Sequence, residues 1–267
     1  MGAEKILRSK NNQSIEIFME LTVNGIKTHY EVFGKGKPFL ILHGWGSNSE
    51  RWMEVAKLIS EKGYKVIVPD LPGFGKSEML KNPWTANQYV NWTDAFILEL
   101  KLGEFYLLGH SFGGALASKM AIKHAQDMKG LFLVAAAVVR TKTTGKKASA
   151  GVAKLVGIFS FMPGYKLFRK AVYKFILRRS DYAYVDGVMK QTYLNVIGDD
   201  VSFQMPFIKV PTVVIWGDKD QSTPFTEGQF IQKEIKNAIL EVIPGAGHDL
   251  NRKQPSELAE KVLAHLS

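Results

Sequence analysis

The stretch Phe105-Tyr106-Leu107-Leu108-Gly109-His110-Ser111-Phe112-Gly113-Gly114 decides how this chain is to be read. Residues 105–108 are an apolar run that predicts a short buried strand, and residues 112–124 have the apolar spacing of a helix. Only Gly109, His110 and Ser111 remain to reverse the chain between them. A serine at so sharp a strand-to-helix turn sits in strained backbone geometry, and small residues on either side relieve the crowding. The helix N-terminus adds a positive dipole end and free N–H groups beside the hydroxyl, where an oxyanion would develop. The plainer alternative is a glycine-rich turn with no chemistry, so the surrounding pattern must carry the rest of the argument.

Outward from this turn, short β-rich runs alternate with helical patterns. Residues 15–23 and 26–33 flank Asn24-Gly25, a two-residue hairpin signal. Strands are predicted at 39–42, 65–69, 130–135, 210–216 and 239–243. Helices are predicted at 49–62, with Ser49 as N-cap, and at 85–100, 224–236 and 255–266. Such alternation implies an α/β fold, a mostly parallel eight-stranded sheet with helices on both faces. It breaks between 138 and 205, where the chain is helical in period and poor in strand signals. The expected organisation is one core, 1–137 and 206–267, with residues 138–205 inserted into it.

Three more glycine-bearing turns follow strands. His43-Gly44-Trp45-Gly46 comes after 39–42, where glycines let amides approach a bound carbonyl. Trp216-Gly217-Asp218-Lys219-Asp220 follows 210–216 and offers two acids. Gly245-Ala246-Gly247-His248-Asp249 follows 239–243 and offers an imidazole on a loop freed by glycine. A fifth turn, Asp70-Leu71-Pro72-Gly73-Phe74-Gly75-Lys76-Ser77, is given a structural role, with Asp70 bonding backbone amides. His43 is read as structural, and His29, His110, His124 and His265 have no setting comparable to that of His248.

With these four ordered motifs the chain resembles the α/β-hydrolase superfamily, in its capped esterase-like branch, from about residue 20 to the C-terminus. The resemblance implies Ser111 as nucleophile, His248 as general base and Asp220 as the acid that orients it, in the order Ser…Asp…His. Asp218 is the backup acid. It also implies an oxyanion hole made of the Trp45 and Phe112 amides, with the Trp45 side chain walling an acyl pocket, and it makes 138–205 a helical cap. Relatives with an aspartate nucleophile are excluded, because a serine holds that position.

Composition narrows the remaining classes. With no cysteine among 267 residues, disulfides, thiolate zinc sites, iron–sulfur clusters and a cysteine nucleophile are ruled out. Residues 1–20 lack a continuous apolar region and Ile6 breaks the myristoylation pattern, so a cytoplasmic home is expected. No stretch of about 18 apolar residues predicts a transmembrane segment. No metal-binding or dinucleotide motif is found, and no cofactor is expected. The formal charge of +10 is concentrated between 138 and 197, which holds twelve basic residues against Asp181 and Asp186; 23 of each sign fill the rest. A solvated face, a dock for an acidic carrier or acyl-CoA, and an anionic membrane surface all stay open for this block. No nucleic-acid reading motif is present.

The leading expectation is hydrolysis of a small-molecule carboxylic ester or thioester through an acyl-enzyme. Two alternatives remain: carbon–carbon bond hydrolysis of a dienoate-type diketone with the same residues, and a slow-turnover ligand receptor of the same fold. Phe159, Phe161, Tyr165, Phe168, Phe175 and Leu177 would line an acyl site or pack the cap onto the core.

Overall fold

The computed structural model describes residues 16–139 and 187–266. Strands β1 (Glu16–Val23) and β2 (Ile26–Phe33) form the hairpin read at Asn24-Gly25. Both turn residues have positive φ, 49° and 78°, the geometry whose twist matches the flanking strands. They join β3 (Lys37–Leu42), β4 (Tyr64–Pro69), β5 (Phe105–His110), β6 (Met128–Val134), β7 (Thr212–Gly217) and β8 (Ile239–Ile243). The eight strands lie in the order β1-β2-β4-β3-β5-β6-β7-β8. β2 is antiparallel to both of its neighbours, and all other pairs are parallel.

Every residue of β5 is buried, as are the last four of β3. Successive side chains of a strand point to opposite faces, so burial of both sets means that both faces of the central sheet are covered. The cover comes from α1 (Met53–Ser60), α2 (Ala86–Glu99), α3 (Phe112–Lys123), α4 (Gly187–Ile197), α5 (Phe225–Glu234), α6 (Leu250–Lys253) and α7 (Pro255–Leu263). Helix α1 packs on α7, and α2 on α3. Among the described residues no helix is long and apolar enough to cross a membrane.

The chain leaves β3 for β4 on one side and returns to β5 on the other, so the order reverses at β3 and β5. The crevice outside their carboxyl ends is the usual place for a ligand in an open α/β sheet. Pairing of Leu42 with Gly109 sets the turn after β3 beside the turn after β5.

Several expected boundaries shift. The helix expected over 49–62 is a 3₁₀ turn, Ser49–Trp52, followed by α1, and its N-cap is Asn48, which accepts the Arg51 amide at 3.3 Å. Ser49 is unavailable as a cap because it is buried and its own amide donates to Asp70 Oδ1 at 2.6 Å. The helix expected over 224–236 spans Phe225–Glu234, with Pro224 outside it. The final helix ends at Leu263.

Of the segment 138–205, expected as an insertion, residues 140–186 lie outside the described residues. Eleven of the twelve basic residues fall there, all but Lys190, with the six apolar residues named for the acyl site. Helix α4 and the 3₁₀ segment Ser202–Phe207 are described. The Trp84 amide donates to buried Thr192 Oγ1 at 3.0 Å, and Asn195 Nδ2 donates to the Trp84 carbonyl at 3.2 Å. These two bonds seat α4 on the segment ahead of α2.

Candidate active site

Ser111 stands between β5 and α3 at φ 51°, ψ −115°, a conformation that costs a non-glycine residue free energy and persists only when its surroundings enforce it. The enforcement is visible. Its amide donates to the Val134 carbonyl at 3.0 Å, and its carbonyl accepts from Gly114, Ala137 and Ala115 at 2.9, 2.9 and 3.2 Å. Helix α3 also lies hard against the end of β3. A Cβ on Gly113 would stand 2.1 Å from the Leu42 carbonyl oxygen, well inside contact distance, so only glycine fits.

Asp220 and His248 come from the loops after β7 and β8. Asp220 Oδ2 lies 2.7 Å from His248 Nδ1. A carboxylate can only accept, so Nδ1 carries the proton and Nε2 keeps its lone pair. Asp220 Oδ1 accepts from the Ser222 and Thr223 amides at 2.7 and 3.0 Å, and the Thr223 hydroxyl donates to Oδ2 at 2.9 Å. Burial alone would raise the Asp220 pKa; the hydrogen bond and charge of His248 and the two amides outweigh it and hold the group below the usual carboxylate range. The backup acid, Asp218, points elsewhere and accepts the Gly245 amide at 2.6 Å, bracing the loop that carries His248.

The turn after β3 meets the serine. A Cβ on Gly44 would stand 3.2 Å from Ser111 Cβ. Phe112 begins α3, where an N–H has no intrahelical partner. Among the described residues neither the Trp45 nor the Phe112 amide donates to a protein acceptor. The Trp45 ring lies 4.8 Å from that of Phe74, 5.2 Å from Tyr193 and 5.7 Å from Phe112, an aromatic wall that includes a residue of α4. Ser111 Oγ makes no hydrogen bond to a described residue, His248 included. Contacts of that kind commonly close only around substrate.

The structural role read for Asp70 matches the geometry: its carboxylate accepts from the Ser49 amide at 2.6 Å and the Lys76 amide at 2.8 Å. His43 Nε2 accepts from the Leu71 amide at 2.9 Å, so Nδ1–H donates to the Gly44 carbonyl at 2.8 Å. Burial, first among the causes, pushes its pKa below the ordinary value. Both residues therefore shape the turns.

His110 is the residue that sequence reasoning missed. Its ring lies 4.9 Å from that of His248, and its Nε2 stands 3.0 Å from the His248 carbonyl oxygen. The available signal was its place, directly ahead of the serine at the carboxyl end of a buried strand. Among the described residues no cluster of three or more His, Asp or Glu could hold a metal ion.

Such a sheet, with a strained serine at the β5 turn and a carboxylate–imidazole pair beside it, defines an α/β hydrolase. The sequence profile of the alpha/beta hydrolase fold family matches residues 37–171, and the chain belongs to that family. It is similar to Lipase 1 of Psychrobacter immobilis, 28% identical over 264 residues, covering 91% of this chain and 79% of that protein. It is also similar to a 2-hydroxy-6-oxo-6-(2'-aminophenyl)hexa-2,4-dienoic acid hydrolase of Metapseudomonas resinovorans, 24% identical over 99% of this chain and 95% of that one. An esterase structure from Exiguobacterium antarcticum superposes with a TM-score of 0.72 at 23% identity, covering 92% and 98% of the two chains, and so shares the fold.

Proposed function

We propose that this protein is a serine hydrolase that cleaves a carboxylic ester or thioester through an acyl-enzyme on Ser111. The observation that carries the reading is the 2.7 Å Asp220–His248 bond at the same sheet edge as a serine held at positive φ. In this scheme the substrate carbonyl lies against the Trp45 and Phe112 amides. Ser111 Oγ attacks the carbonyl carbon while His248 Nε2 takes its proton, and the oxyanion collects the two amides. The bond to the leaving oxygen or sulfur breaks as His248 returns the proton to it. A water then adds to the acyl-enzyme by the same route and releases the acid. Asp220 keeps His248 in the tautomer the scheme needs and stabilises its imidazolium.

Residues 138–205 are proposed as the cap that closes the acyl site. What supports this is the seat of α4 on Trp84 and the contact of Tyr193 with Trp45.

A second reading, hydrolysis of a carbon–carbon bond, is favoured by the similarity to the dienoic acid hydrolase along almost the whole chain. One experiment separates the two: a p-nitrophenyl ester series from acetate to laurate, run on wild type and Ser111→Ala, with a ring-cleavage dienoate in parallel. Turnover of esters by wild type alone supports the esterase. Turnover of the dienoate and no ester supports the carbon–carbon hydrolase. Equal rates in the serine variant remove Ser111 as nucleophile.

A further inference from the structure

His110 joins three loops that must be in register for the chemistry proposed above. It directly precedes Ser111. Its Nε2 lies 3.0 Å from the carbonyl oxygen of His248, and because a carbonyl cannot donate, Nε2 carries the hydrogen. The opposite ring nitrogen faces the turn after β3, where a Cβ on Gly44 would stand 2.9 Å from His110 Nδ1. The Trp52 ring covers it at 5.7 Å. His110 is 6% exposed, and its buried Nδ1 has no hydrogen-bond partner among the described residues. A buried acceptor left unsatisfied normally destabilises a fold by about 1–3 kcal/mol. A purely structural residue here would better be an apolar one of similar shape, unless the Nε2–H bond to the His248 main chain is what the site requires.

We infer that His110 is a positioning residue: by donating Nε2–H to the main-chain carbonyl of His248, it sets the height of the imidazole against Ser111 and Asp220. The inference rests on the serine-hydrolase reading, or on its carbon–carbon variant, which uses the same three residues. His110 acts through His248 and touches no reacting atom. It must also stay neutral, because a cation 4.9 Å from His248 would oppose the imidazolium that forms during the reaction. The titratable groups around it are His248, Asp220 and His43. Burial, then the neighbouring His248, depress its pKa to about 3, which agrees with a neutral ring.

The test uses phosphonylation of Ser111 by a p-nitrophenyl alkylphosphonate, followed by intact mass, from pH 5 to 9. It compares wild type, His110→Gln, whose side-chain N–H can reach the same carbonyl, and His110→Phe, which keeps a ring and loses the donor. Ester kcat and KM are measured in parallel. Expected is a loss of roughly 10- to 100-fold in labelling rate and kcat for His110→Phe, with KM little changed, and recovery of most of it in His110→Gln.

Labelling of His110→Phe at the wild-type rate would overturn the inference, as would a loss that His110→Gln does not recover. Absence of labelling at Ser111 in wild type sinks the serine reading instead, so the two failures are distinct. If His110→Phe does not fold, ¹⁵N NMR of wild type decides. A neutral ring protonated on Nε2 down to pH 5 supports the inference; the Nδ1–H tautomer or a doubly protonated ring overturns it.

Discussion

Asp220 Oδ2 meets His248 Nδ1 at 2.7 Å while Asp220 Oδ1 is held by the amides of Ser222 and Thr223, so the carboxylate cannot turn away from the imidazole. Asp220→Asn would offer an amide in place of an acceptor and favour the wrong tautomer of His248. We expect kcat to fall on the order of 10⁴-fold with little change in Tm. Asp218→Asn keeps an acceptor for the Gly245 amide, and its activity should stay within about threefold of wild type, the scale of a surface charge contact. Ester kinetics on the two variants check both, and the reverse ranking would assign the acid to Asp218.

Gly113 and Gly46 predict opposite outcomes for the same change. A methyl on Gly113 meets the Leu42 and His43 carbonyl oxygens at 2.1 and 2.7 Å, and both are backbone of a buried strand end. Gly113→Ala should destabilise by at least about 3 kcal/mol, or roughly 6–12 °C in Tm, and displace the Phe112 amide. Gly46 has positive φ and nothing within 4 Å of a Cβ, so Gly46→Ala should cost about 1 kcal/mol from backbone strain alone. Thermal unfolding of both variants measures the contrast.

Stability at mildly acidic pH should depend on His110. Its pKa in the folded state is about 3 against 6.5 in an unfolded chain, so between these values the unfolded state binds the extra proton. The stability it contributes is complete above about pH 6.5 and is lost as pH falls toward 3. Asp220 is also depressed, but its loss begins only as pH falls through the ordinary carboxylate range. Between pH 8 and 5 wild type should therefore lose about 2 kcal/mol more than His110→Gln, in which His43 is unchanged. Denaturant midpoints at the two pH values give the difference; equal losses would mean that His110 titrates normally in the fold.

The aromatic wall should set acyl length. The oxyanion donor proposed at position 45 is main chain, so Trp45→Ala removes contacts with Phe74, Phe112 and Tyr193 and leaves the amide. The optimum of the ester series should move to longer chains, with kcat/KM rising roughly fourfold per added methylene, or about 0.8 kcal/mol each. An unchanged optimum would place the acyl group elsewhere.

Much of this was legible locally. The β5–Ser111–α3 turn, the hairpin at Asn24-Gly25 and the glycine-bearing turns after β3, β7 and β8 are short-range features, because turn chemistry and hydrophobic period act within a few residues. The same reasoning placed Asp70 and His43 among structural residues. It could not separate Ser49 from Asn48 as a cap, because the choice depends on Asp70, a contact 21 residues away.

The sequence by itself determined the α/β alternation, the family and the set of candidate residues, since each is written in periodicity or in a motif of a few residues. Only the tertiary structure decided which acid of 218 and 220 faces His248, that His110 stands beside that histidine, and that α4 brings Tyr193 to Trp45. Those facts depend on loops from β3, β5, β7 and β8 meeting at one sheet edge. No local pattern encodes which side of a turn will face a neighbour more than a hundred residues away; close packing of the assembled sheet does.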